Sequence, residues 1–175
     1  MGAREVRLAA TLIGVAVVSG SLAGQEKVTD LQARFDRDSN AVHKAKLLER
    51  LGDAQFNDAR RAEKANDYTT VGLIMEKYRD NARAAADALK KEHPDGERHS
   101  GGYKQLEMHV QKGLREVGEI MLVVPMEFKP PLQIVRHDLQ TIDDELLRAL
   151  FPRRPGDKPL SPPTQAKPPA SEMRQ

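Results

Sequence analysis

The sequence predicts an all-α protein, an antiparallel helical bundle of about four helices, led by an export signal and trailed by a proline-rich tail. Three observations predict it. Apolar residues recur in helical steps across most of residues 30–151, and no stretch of comparable length alternates as a half-buried strand would. The interruptions are mostly short and rich in Asn, Asp, Pro and Gly, which suits connections between antiparallel neighbours. The 175 residues include no Cys and no Trp. That composition excludes disulfides, thiolate metal sites and cysteine nucleophiles, and leaves helix packing to hold the fold.

The elements follow in chain order. Arg4 and Arg7 precede a charge-free apolar run of 13 residues, Leu8 to Gly20, and Ser21-Leu22-Ala23 supplies small residues for a cleavage site. This is the pattern of a signal peptide over residues 1–23, and the run is short for a membrane span. The helical domain is expected over residues 24–151. Its first stretch places Leu31, Phe35, Val42, Ala45, Leu48, Leu51, Phe56, Ala59 and Ala62 on one stripe. Asp38-Ser39-Asn40 is a plausible break, with Asp38 or Ser39 as the cap of a second segment. Periodicity leaves one long helix and two helices both open.

Asn66-Asp67 ends that stretch, since Asn tolerates a left-handed backbone and Asp is a favoured cap. The next helix runs from Tyr68 to about His93 on Val71, Ile74, Tyr78, Ala82, Ala85 and Leu89, with Met75 beside them. The Asn66-Asp67-Tyr68 turn and the stripe after it resemble the turn between the two helices of a tetratricopeptide repeat. That resemblance covers about half of one repeat and implies a helical hairpin. Pro94-Asp95-Gly96 stops the helix. A third helix is expected after Ser100-Gly101-Gly102, on Tyr103, Leu106, Val110, Leu114, Val117, Ile120, Met121 and Val124. Gly113 and Gly118 lie inside it and weaken it by about 1 kcal/mol each unless they permit close packing. Pro125 ends it, and Pro130-Pro131 opens a fourth helix on Leu132, Val135, Leu139, Ile142, Leu146 and Leu150. Residues 152–175 contain seven Pro and should form a disordered basic tail.

Charge separates along the chain. Residues 24–151 carry 21 basic and 23 acidic side chains, whereas the tail carries five and two. The basic balance therefore belongs to the leader and tail, and interspersed charge on the body argues against nucleic-acid binding.

The most site-like stretch is Arg98 to Lys104. Gly101 and Gly102 at a helix start would expose backbone N–H groups, the helix dipole would add positive potential, and Arg98, His99, Ser100 and Lys104 would add charge and donors. This is the candidate anion site. It lacks the GxxxxGK[ST] spacing of a nucleotide loop. His93, Asp95, Glu97 and His99 alternate through the same loop but match no metal-ligand spacing, so a solvated turn is expected and no metal. The di-iron Glu-x-x-His motif is missing from the sequence. His109 and His137 are expected on the surface, and no spacing selects a haem pair such as His109 with Met75. Asp143-Asp144-Glu145 is expected to face solvent. No cofactor is expected.

These readings lead to an exported, non-enzymatic bundle that binds another protein or serves as an envelope scaffold. The partner's identity is open, and stable membrane insertion is not expected after signal cleavage. The alternative is a protein that binds a small anion through Arg98–Lys104.

Overall fold

The computed structural model describes residues 27–152, and these are all-α, with five α-helices and no strand among the described residues. The signal peptide expected over residues 1–23 lies outside the described residues, as does the proline-rich tail beyond Pro152. The helices are α1 (Val28–Arg37), α2 (Ala41–Lys64), α3 (Tyr68–Glu92), α4 (Ser100–Val123) and α5 (Lys129–Leu150), with a 3-10 turn at Met126–Phe128 before α5.

The helix count exceeds the expected four because the first stretch breaks in two. The cap is Asn40, not Asp38 or Ser39: its side chain accepts from the His43 N–H at 2.8 Å. Asp38 serves the turn instead, accepting from the Asn40 N–H at 2.9 Å. The break lets α1 double back along α2. Leu31 and Phe35 anchor it in the core. Gln32 exchanges two side-chain hydrogen bonds with Asn81 of α3, at 3.0 and 2.9 Å.

The next turn forms as the sequence predicts. Asn66 has φ 58°, the left-handed conformation in which Asn is well tolerated. The Asp67 side chain then accepts from the Thr70 N–H and hydroxyl, at 3.1 and 2.6 Å, and these bonds hold its carboxyl below the usual range. Helices α2 and α3 are thereby antiparallel neighbours.

Cross-links between helices give the rest of the topology. Glu49 accepts from Gln105 at 2.8 Å, Lys112 pairs with Asp53 at 2.6 Å, and Arg60 pairs with Glu116. Residue numbers rise together, so α2 and α4 run parallel. Arg79 reaches Asp138 at 3.3 Å and Arg83 reaches Glu145 at 2.8 Å, so α3 and α5 also run parallel. Helix α4 packs on both α2 and α5, and α3 meets α4 across the bundle. The 93–99 connection therefore crosses one end of the bundle instead of joining adjacent helices.

One continuous core fills the space. Leu48, Leu51, Phe56, Met75, Tyr78, Leu89, Leu106, Leu132, Leu139 and Ile142 are among its buried side chains. The predicted stripes locate it well. The differences are local: Met75 is in the core, whereas Ile74, Leu114 and Met121 pack at its edge.

Candidate functional site

The Arg98–Lys104 stretch sits at the start of α4, as expected. Arg98, His99, Gly101 and Lys104 are exposed. Asp95 organises the turn: its side chain accepts from the Arg98 N–H at 3.1 Å and pairs with the Arg98 guanidinium at 3.2 Å. A carboxylate of this chain therefore stands against Arg98, one of the two cations of the predicted cluster. His99 occupies the N-cap position without a side-chain cap, and its ring stacks on His93 at 4.7 Å. Ser100 is half-buried. The two glycines differ. A methyl group on Gly101 would meet open space, whereas one on Gly102 would lie 2.9 Å from Leu89 and 3.2 Å from Val42. Gly102 is a close-packing residue where α4 meets α3 and α2. Among the described residues, no three His, Asp or Glu side chains converge as a metal site.

The bundle's least ordinary chemistry lies elsewhere, at mid-height on α2, α3 and α4. His109, expected on the surface, is 5% exposed. His137 is exposed, as expected. The sequence places His109 beside the α4 stripe, and two glycines, Gly52 on α2 and Gly113 on α4 itself, explain why its ring and that of Tyr78 fit inside. A methyl group on Gly52 would lie 2.2 Å from His109 Nε2 and 2.9 Å from Tyr78 Cε2. One on Gly113 would lie 2.4 Å from Tyr78 Cε1. Only residues without a side chain leave room for both rings. Phe56 completes the cluster, 4.6 Å from Tyr78 and 5.7 Å from His109 between ring centroids.

The polar atoms of this cluster are unequally satisfied. The Tyr78 hydroxyl donates to the His109 carbonyl oxygen at 2.9 Å. Burial first, then the carboxylates of Asp53 and Glu116, push the Tyr78 phenol above its usual range. His109 Nε2 is buried with no hydrogen-bond partner. Burial lowers the His109 pKa from 6.5 to about 4, so the imidazole is neutral near pH 7. Above it, between α2 and α4, runs a groove of about 510 Å³. Its rim carries the Lys112–Asp53 pair and the Gln105–Glu49 hydrogen bond.

The acidic cluster on α5 also departs from expectation. Asp144 is exposed, but Asp143 is 8% exposed and Glu145 is half-buried. Gln111 of α4 donates to Asp143 Oδ2 at 2.7 Å, while Asp143 Oδ1 is buried without a partner. Burial raises the Asp143 pKa, and burial together with the nearby Asp143 charge raises that of Glu107. Arg83 and Lys90 both bond Glu145, and these contacts outweigh burial to lower its pKa.

Exposed apolar side chains gather where α4 ends. Leu122 is 82% exposed, Val123 57% and Met126 74%. No helix among the described residues is long and apolar enough to cross a membrane. Comparison with family models, curated proteins and solved structures finds no match to this chain.

Proposed function

We propose that the protein is an exported, non-enzymatic bundle that binds another protein or serves as an envelope scaffold. The observation that supports this reading best is the apolar corner formed by Leu122, Val123 and Met126. Singly scattered exposed apolar residues are ordinary on a protein surface. Three within five residues, each more than half exposed, concentrate apolar surface where α4 ends, and concentrated exposed apolar surface marks interaction sites. Phe128, in the same 3-10 turn as Met126, packs on Tyr68 of α3 with ring centroids 5.5 Å apart. The occupant that suits such a surface is an apolar segment of a partner protein.

The test is site-specific photo-crosslinking in the native host, with the reactive residue at Leu122 or Met126 and a control at exposed Arg136 of α5. The expected result is a discrete heterologous adduct at the first two positions, lost when Val123 is changed to Ser and absent from the control. Adducts of equal yield at all three positions, or only between copies of this chain, would overturn the reading.

A further inference from the structure

The groove between α2 and α4 has walls of opposite charge. Helix α2 lines it with Glu49 and Asp53, one turn apart. Helix α4 lines it with Gln105, Met108, His109, Lys112 and Arg115, so both cations stand on the wall that faces the two acids. Its volume of about 510 Å³ falls within the usual range for small-molecule sites. The cross-links over it are solvated. Lys112 and Asp53 pair at 2.6 Å, but their side chains remain 41% and 46% exposed. Gln105 donates to the exposed Glu49 at 2.8 Å. Exposed ion pairs contribute little to stability, so a ligand that offers both charges can exchange with them.

A buried imidazole forms the floor. His109 is 5% exposed, and its Nε2 has no hydrogen-bond partner. That nitrogen points into the notch left by Gly52, which lies three residues after Glu49 and one before Asp53. The unmet atom therefore faces the stretch of α2 that carries the acidic wall. A buried polar atom without a partner is costly, which makes it a marker for a site and not for packing alone. Met108, 68% exposed, adds apolar surface on the α4 side. Glu49, Asp53 and His109 do not converge as a metal site. Acids and bases set on opposite walls match an organic molecule that carries both charges.

We infer that the groove binds a free α-amino acid with an apolar side chain, its ammonium group against Glu49 and Asp53, its carboxylate against Lys112 and Arg115, and its side chain over Met108 and the His109 ring. An ammonium group has three donors to divide between two carboxylates, and a guanidinium fork matches carboxylate oxygens.

The test is an NMR titration of the full chain with L-leucine, glycine, acetate and ethylamine, following backbone amides and the His109 ring. The expected result is saturable shifts with leucine, centred on Glu49–Asp53 and Gln105–Arg115 and including the His109 ring. Glycine should bind more weakly, and acetate and ethylamine, each with one of the two charges, should not saturate. Affinity for leucine should fall about tenfold or more in Glu49→Gln/Arg115→Gln but hold in Arg136→Gln. Met108→Ala should narrow the preference for leucine over glycine. Glu49, Met108 and Arg115 are exposed, and unchanged melting would confirm that the variants fold. Linear shifts with leucine, saturation by acetate or ethylamine alone, or affinity that survives the double variant would overturn the inference. So would a His109 ring that does not respond, or shifts centred on Gly101 and Gly102.

Discussion

Replacing Gly52 with Ala should destabilise the bundle, although alanine is the better helix former. The new methyl would sit 2.2 Å from His109 Nε2 and 2.9 Å from Tyr78 Cε2. Favourable carbon contacts lie near ~3.5–4 Å, so relief requires a shift on the order of 1 Å. The rings have little freedom to supply it. Tyr78 is fixed by its hydroxyl bond to the His109 carbonyl, and His109 is buried with Phe56 and Tyr78 each 5.7 Å away. Overpacking a core costs about 1–3 kcal/mol, and a site this confined belongs at the upper end. The Gly-to-Ala gain in helix propensity offsets roughly 1 kcal/mol, leaving a net loss of about 2 kcal/mol. The assay is urea unfolding of Gly52→Ala, His109→Ala and the double variant. Truncating His109 opens the space that the methyl needs, so the double variant should be more stable than the sum of the singles by about 2 kcal/mol. A Gly52→Ala protein that unfolds like wild type, or effects that add to within about 0.5 kcal/mol, would refute the account of Gly52 as the residue that admits the imidazole.

Three further outcomes are expected. His109 titrates near pH 6.5 when unfolded and about 4 when folded, so between these values the unfolded chain binds more protons and stability from this residue falls as pH falls, by about 3 kcal/mol in all. Asp143 and Glu107, whose folded pKa values are raised, oppose that slope, so the check is stability against pH for wild type and His109→Gln, with the loss on acidification smaller in the variant. At Asn66, with φ 58°, Gly should melt at or slightly above the wild-type temperature and Ala should cost about 1 kcal/mol, as measured by thermal unfolding. Leu139 is fully buried, so Leu139→Asp should cost about 4 kcal/mol or more in urea unfolding, through an unpaired buried charge and lost packing.

Much of this fold was legible because helical periodicity is a local signal. Val71, Tyr78, Ala82, Ala85 and Leu89 declare one face of α3 by spacing alone, and that face is buried. The Asn66-Asp67 turn was legible for the same reason: conformational tolerance and capping belong to the residues themselves. The α1–α2 break was only half legible. Asp38, Ser39 and Asn40 are all competent caps, and only backbone geometry selects Asn40. The crossing of the 93–99 connection was not legible at all. Stripes state which face is buried, not which neighbour covers it.

The site residues divide along the same line. Arg98, Gly101, Gly102 and Lys104 stand out because they lie close along the chain, and proximity along the chain is what a sequence displays. The rings at mid-bundle come from residues far apart, with Tyr78 and His109 separated by 31 positions. One signal for them was present in Gly113, a helix-interior glycine whose cost implies close packing. Gly118 carries the same signal, yet a methyl there would meet nothing within 4 Å. Interior glycine therefore marks a question that only the facing helix answers.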